Sequence, residues 1–345
     1  MAVFKTFGSN PSGKYVETIK ASPNYKGGVF QNLSHTESLV KGASFLKIMW
    51  RFFNKPKNTA PPKSLPSVKT DLRSLPNDKP AIVWFGHSSY FIGINGKNIL
   101  VDPVLSGHAS PFSFTGKSFK GSDVYTVNDF PDIDILILTH DHYDHLDYNT
   151  VRKLRSKTKI ICTSAGVGSH LRYWGIDPAI TFEFDWWDSK IVSGDITVIA
   201  APARHFSGRS FVRNKTLWSS FILKTAGYSI YIGADSGYDS HFKVIGDKYG
   251  PFDIALLECG QYNEWWPFIH MMPEQTVIAS IDLKAKVMMP VHWGKFALGL
   301  HPWDEPVSRA VAKAHELNVR CTTPMIGKPV ILSDSLPAKQ WWKGW

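Results

Sequence analysis

Residues 139–147 read Thr-His-Asp-His-Tyr-Asp-His-Leu-Asp, three histidines and three aspartates in nine positions, directly after the apolar run IDILIL. An apolar run of this length ahead of a polar cluster predicts a buried strand with a site at its end. His140 and His142, two apart on an extended segment, point the same way and can clasp one metal ion. Asp144 and His145 follow on the turn and face a second. The other candidate ligands share this setting. His205 follows TVIAAPAR, Asp235 follows YSIYIGA and His292 follows KVMMPV. Side chains at strand ends can converge on one edge of a sheet while the strands behind hold them rigidly.

Each metal needs a third ligand from elsewhere. His205 and His292 are available, and Asp235 can bridge through its two oxygens. Imidazole with carboxylate suits two zinc ions, with manganese or iron(II) as alternatives. Two metals about 3.5–4 Å apart hold a hydroxide between them and lower its pKa, which is the chemistry of a hydrolase. One histidine after a strand is commonly a packed or surface residue. The H-x-H-x-D-H order with further strand-end His, Asp and His outweighs that plainer reading.

The chain has 345 residues, 43% of them hydrophobic, enough to bury a sizeable core. No run approaches the roughly 20 apolar residues of a membrane span, and the start MAVFKTFGSNPSGKYVETIK has no signal-peptide h-region. The expectation is a soluble cytoplasmic protein. Cys162, Cys259 and Cys321 lie far apart and encode neither a disulfide framework nor a zinc ribbon. The net charge of +10 is uneven. Residues 41–80 carry +7, the first forty +2, and everything from Ala81 onward about +1. A basic lead-in on a nearly neutral body suits peripheral contact with an anionic inner membrane face, or a solvated linker. It does not suit a long nucleic-acid track.

Three regions follow from the pattern. Residues 1–35 are Gly/Ser/Asn-rich and predict an irregular arm. Residues 36–54, TESLVKGASFLKIMWRFFN, predict a helix starting near Thr36, and the proline-rich stretch to Pro80 predicts an extended linker. The first eighty residues are thus an extension, and 81–345 a catalytic domain. Short β-rich runs recur from Ala81, with turns at Asn95-Gly96 and Ala226-Gly227 that suggest antiparallel hairpins. Helical patterns alternate with the later runs, as in PEQTVIASIDLK and EPVSRAVAKAHELN. A layered α/β protein results.

THDHYDHLD resembles the metal-binding signature of the metallo-β-lactamase fold superfamily. Segments such as WFGHSSYFIGINGKNILVDPVLSGHASP, IYIGADSGYDSHFKVIGDKYGPFDIALL and VHWGKFAL resemble its N-acyl-phosphatidylethanolamine-hydrolysing phospholipase D branch. That resemblance implies an αββα sandwich with His140, His142 and His205 on one zinc, Asp144, His145 and His292 on the other, and Asp235 bridging. It also implies that Asp102 supports the histidine loop, and it matches His87, in FGHSS, as a support or a packing residue.

The resemblance implies attack on a phosphodiester, for which Asp144 would orient the nucleophile. From the residues themselves, His270 or a metal-bound water would assist departure of the leaving group, with a polar residue at a loop-to-helix junction as the plainer reading of His270. Arg209, in HFSGRS, is a candidate phosphate contact, with a surface salt bridge as the plainer reading. Trp265 and Trp266 are candidates for an acyl groove. The basic lead-in with FLKIMWRFF and the tail QWWKGW is expected to meet the membrane, although packing is the simpler account of the tail. The segment CGQYNEWWPFIHMMPEQ departs from the mammalian-type enzymes, and such loops often read the substrate. Soluble lactones and small phosphate esters are therefore the alternative substrates. A nuclease or a non-catalytic lipid-binding protein ranks below them, and association with a second copy of the chain stays open.

Overall fold

The arm expected to be irregular holds a helix, α1 (Lys14–Lys20), and a hairpin, β1 (Tyr25–Lys26) with β2 (Val29–Phe30), in a computed structural model describing residues 5–332 and 334–344. Gly27 and Gly28, at φ 61° and 82°, form the two-residue turn of the hairpin. Ile19 and Phe30 are buried with Trp186, Leu217 and Trp218. Sparse apolar residues in a polar stretch have found a distant partner, which no local pattern announces.

The helix expected over 36–54 is shorter. α2 spans Phe45–Phe53, and the Ser44 hydroxyl caps it by accepting from Lys47 N at 3.3 Å. Gly42, at φ 89°, turns the chain out of any helical path, which explains the start at Ser44 rather than Thr36. The proline-rich segment runs along the body, extended apart from two single 3-10 turns at Lys57–Thr59 and Leu72–Ser74. Leu65 N donates to Lys120 O (2.7 Å) and Val68 N to Ile326 O (2.8 Å).

Every β-rich run becomes a strand: β3 (Ala81–Trp84), β4 (Tyr90–Ile94), β5 (Lys97–Val101), β6 (Ile133–Leu138) and β7 (Thr158–Ser164) in the first half. Two further strands, β8 (Thr181–Phe184) and β9 (Ser189–Ser193), were not expected. Then follow β10 (Ile196–Pro202), β11 (Ser219–Lys224), β12 (Ser229–Ile232), β13 (Ile254–Glu258) and β14 (Met288–Val291), with an unexpected β15 (Pro329–Ile331). The two predicted hairpins, β4/β5 and β11/β12, are antiparallel. One sheet has the order β15-β3-β4-β5-β6-β7-β8, the other β14-β13-β12-β11-β10-β9.

Alternation along β6 shows how the layers stack. Ile135 and Ile137 enter the core between the sheets with Val198, Ala200, Phe221 and Leu223 of the facing sheet. Leu136 and Leu138 point the other way. There they join Val151 and Leu154 of α3 (Tyr148–Leu154) and Leu171 of α4 (Gly168–Tyr173). On the far side of the second sheet, Tyr231, Ala255 and Leu257 pack with α5 (His241–Tyr249), α6 (Pro273–Asp282) and α7 (Glu305–Glu316). The result is the four-layer αββα sandwich.

The tail packs rather than reaching out. Trp341 and Trp342 are buried against Trp293, with ring centroids 5.2 and 5.4 Å away. Their indole N–H groups donate to Pro324 O and Ser308 Oγ. The packing account of the tail therefore holds for these two residues, and Trp345 lies outside the described residues. Trp342→Ala should cost about 3–5 kcal/mol, read as a lower urea midpoint with an unchanged slope.

Candidate metal centre

Strands of both sheets stop at one level, and the polar residues follow their last positions. His140 lies two residues beyond β6, His205 and Asp235 three beyond β10 and β12, and His292 one beyond β14. The site edge therefore belongs to the whole sandwich rather than to a single sheet. The backbone turns sharply there. His87, Asp102, Ala234 and His292 all have positive φ, at 54°, 39°, 53° and 67°. For residues with a side chain this is an uncommon conformation, held in place by the packing around it.

Three overlapping groups of side chains converge, two around the candidate ligands and a third made of Asp235, Glu258, His270 and His292. His140, His142, His205 and Asp235 bring ligand atoms within 4.8 Å of one another, and so do His87, Asp144, His145 and His292. In the first group His142 Nδ1 lies 3.0 Å from His140 Nε2 and 3.1 Å from His205 Nε2. Asp235 Oδ2 lies 3.7 and 3.6 Å from the same two Nε2 atoms. Its other oxygen, Oδ1, lies 3.1 Å from both His145 Nε2 and His292 Nδ1. One carboxylate thus faces both groups.

The donor set fits metal ions. Ligand atoms about 2.0–2.1 Å from a tetrahedral zinc are about 3.3–3.4 Å from each other, within the range seen here. His145 Nε2, Asp235 Oδ1, His292 Nε2 and His87 Nδ1 are buried and make no hydrogen bond among the described residues. Each such atom costs about 1–3 kcal/mol unless something else satisfies it. The opposite ring nitrogens are already committed. His205 Nδ1 donates to Ile269 O (2.8 Å), and His145 Nδ1 to Asp102 Oδ2 (2.7 Å). Asp102 also accepts from Thr139 N (2.8 Å) and Thr139 Oγ1 (2.6 Å), so one carboxylate fixes the strand end and a ring together.

Electrostatics divide the rings. Burial pushes His140, His205 and His292 well below the usual imidazole pKa, so these rings are neutral. Burial also opposes charge on His145, but Asp235, Asp144 and Asp102 outweigh it and hold that ring well above. Asp144 is raised by burial and lowered further by His145 and His87, ending far below the carboxylate range. His87 Nε2 sits 2.9 Å from Asp144 Oδ2, which places His87 inside the second group and not merely beneath it.

Above these groups lies a cavity of ≈ 360 Å³. His142, Asp144, His205, Asp235, His270 and His292 face it, and Ile48 and Phe52 of α2, Phe206, Trp266, Ile269 and Leu298 supply apolar walls. His270 Nδ1 pairs with Glu258 Oε2 at 2.8 Å. Of the two candidate groove tryptophans, Trp266 lines the cavity and stacks on Phe52. Trp265 instead lies under Lys47 and Arg51 of α2, 5.9 and 5.0 Å from its ring, and anchors that helix.

Arg209 is a correction. Its guanidinium is buried against Tyr143 and Trp174 and donates to the carbonyls of Thr6, Asp141 and Leu146. It is neither a surface salt bridge nor free to meet a phosphate. The cation that lines the cavity is Arg213, over the Phe206 ring at 4.9 Å and in no ion pair among the described residues. Four residues apart in one loop, the two arginines look alike in sequence. Cys259 is buried in the core between the sheets.

The support of His145 can be probed directly. In Asp102→Asn an amide NH₂ can oppose the His145 Nδ1–H and turn the ring's lone pair away from the centre. Chelator competition should show metal affinity about 10–100-fold weaker, with the far-ultraviolet circular dichroism unchanged. Wild-type affinity in that variant would refute the role given to Asp102.

A family model described as a beta-lactamase superfamily domain matches residues 97–293, a span that holds Asp102 and all seven residues from His140 to His292 discussed as ligands. An uncharacterized protein of Mycobacterium tuberculosis is 37% identical over 327 residues, covering 93% of this chain and 88% of that one. The N-acyl-phosphatidylethanolamine-hydrolyzing phospholipase D 1 of Caenorhabditis elegans is 31% identical over 231 residues, 63% of this chain and 64% of the worm protein. Among solved structures, Igni18, a metallo hydrolase of Ignicoccus hospitalis, aligns at a TM-score of 0.58 and 19% identity over 75% of this chain and 100% of its own. That likeness is one of fold alone. With more than half of its length matched by the family model, the chain belongs to the beta-lactamase superfamily and has the metallo-β-lactamase fold.

Proposed function

We propose that the protein is a dinuclear metal-dependent hydrolase, a phosphodiesterase of phospholipase D type acting on N-acyl-phosphatidylethanolamine-like lipids. The observation that carries this reading is the make-up of one cavity, with an imidazole and carboxylate floor, apolar walls and one guanidinium. A lipid phosphodiester joins an anionic centre to an apolar chain, and the cavity offers a partner for each. The likeness to the worm phospholipase D supports the same substrate class.

His140, His142 and His205 would hold one zinc, and Asp144, His145 and His292 the other, with Asp235 between them. Such a pair supplies an activated water and positive charge for the phosphoryl oxygens. The chain's own residues do the rest. Asp144 stays ionised and orients the attacking water. Burial works against charge on His270, but Glu258 and Asp235 outweigh it and raise its pKa. His270 thus holds a proton for the leaving alkoxide. Arg213 pairs with the phosphate, and the apolar walls exclude bulk water.

Helix α2 supports peripheral contact with an anionic bilayer. Ile48 and Phe52 face the cavity, while Leu46, Trp50 and Phe53 are 80%, 63% and 82% exposed and alternate with Lys47 and Arg51. Among the described residues no helix is long and apolar enough to cross a membrane. A second reading, hydrolysis of soluble lactones or small phosphate esters, is favoured by the modest cavity volume, which holds less than a whole phospholipid.

Incubating the zinc-loaded protein with vesicles containing N-acyl-phosphatidylethanolamine should release phosphatidic acid and N-acylethanolamine, detected by mass spectrometry. Asp235→Asn should release neither. Metal bound without lipid product would overturn the lipid reading and favour the small esters. Arg213→Ala should lower kcat/KM on an anionic phosphodiester about 10–100-fold, through loss of a charge-assisted hydrogen bond, and leave a neutral lactone unaffected.

A further inference from the structure

Beside the candidate active site lies a second and larger cleft, of ≈ 730 Å³, that the hydrolytic chemistry does not use. Four lysines line it, Lys55 and Lys63 from the lead-in and Lys117 and Lys120 from the body, and no carboxylate does. An acid close in the chain, three residues beyond Lys120, is already engaged. Asp123 accepts from Ser118 Oγ and pairs with the buried Lys295 at 3.1 Å. Lys117 and Lys120 form no ion pair among the described residues.

The convergence is built into the chain crossing. Leu65 N donates to Lys120 O (2.7 Å), and Phe119 N donates to Lys295 O (2.7 Å), so the lead-in and the body loop are locked together at the cleft. Gly121, at φ 87°, lets them cross, because a Cβ there would lie 2.2 Å from Leu65 O. Like charges in a cleft that no carboxylate lines repel one another less once an anion joins them.

The two cavities share a wall. Phe52 lines the active-site cavity, and Lys55, 5.0 Å over the Phe52 ring, lines the cleft. Leu298 lines the first and Ala297, whose carbonyl accepts from Lys55 Nζ, lines the second. We propose that the lysine cleft is a phosphate-binding site next to the catalytic cavity, taking the phosphate of an anionic lipid headgroup or of a soluble organic phosphate. Lysines act on such groups as point charges. This assignment rests on the cleft and holds whichever ester the active site cleaves.

Binding, not turnover, tests it. The zinc-loaded full chain would be sedimented with vesicles of phosphatidylcholine alone, and with vesicles in which about one lipid in five is phosphatidic acid. In parallel it would be titrated calorimetrically with glycerol 3-phosphate. The variants are Lys117→Ala/Lys120→Ala and, as a control of equal charge loss elsewhere, Lys26→Ala/Lys153→Ala. The cleft pair should weaken binding to phosphatidic acid vesicles about tenfold more than the control pair, with no change on phosphatidylcholine. A loss on vesicles only assigns the cleft to lipid headgroups. A loss with glycerol 3-phosphate only assigns it to soluble phosphates. Equal behaviour of the two variants in both arms would overturn the site.

Discussion

Seven imidazole and carboxylate side chains meet at one buried edge of the sandwich, and the cost of taking them out of water governs what surrounds them. A neutral imidazole in such a place can offer a lone pair only if its other nitrogen has an acceptor. Ile269 O serves His205, Asp102 serves His145, and the Thr139 hydroxyl, 3.0 Å from His140 Nδ1, links that ring to the same aspartate. These acceptors are in position because β5, β6, β10 and β12 stop at one level. The left-handed backbone at His87, Asp102, Ala234 and His292 is then the geometric consequence of turning chains sharply at a shared rim.

A second ring of contacts holds the histidine loop from behind. Asp141 accepts from Gly208 N (2.7 Å), Thr216 Oγ1 (2.9 Å) and His170 Nε2 (3.2 Å), and His170 Nδ1 in turn accepts from Ser9 N (3.0 Å). Arg209 ties Asp141 O and Leu146 O to Thr6 O. The arm at the start of the chain is thereby joined to the loop that carries His140 to His145. Buried polar networks of this kind rigidify only when every member is satisfied. Arg209 meets that condition through carbonyls.

The lead-in performs two structural tasks. Its helix α2 contributes Ile48 and Phe52 to the roof of the catalytic cavity, and its proline-rich stretch brings lysines to the neighbouring cleft. Part of the basic charge of the lead-in, Lys47, Arg51, Lys55 and Lys63, is thus placed near the cavity and the cleft, while Lys69 and Lys79 pair with Asp129 and Asp334 elsewhere on the body. The exposed apolar face of α2 lies beside it.

The metal-ligand candidates were legible because H-x-H-x-D-H and the strand-end positions of His205, Asp235 and His292 are local patterns, written in neighbouring residues. The strands and most helices were legible for the same reason, since periods of 2 and 3.6 act over a few positions. Burial in the tertiary fold was not legible. Arg209 and Arg213 share one loop, yet Tyr143 and Trp174, distant in sequence, draw the first inside and leave the second at the cavity. Ile19 and Phe30 gave no sign of their tryptophan partners, and Gly42 cut short a helix whose apolar spacing ran on. Residue types and spacing were enough to point to a metal centre and to the side chains that converge there. Which cation faces the substrate, what roofs the cavity and where the lysines gather depend on segments tens to hundreds of residues apart. Those meetings follow from how the whole sandwich closes, and no short stretch of the chain encodes them.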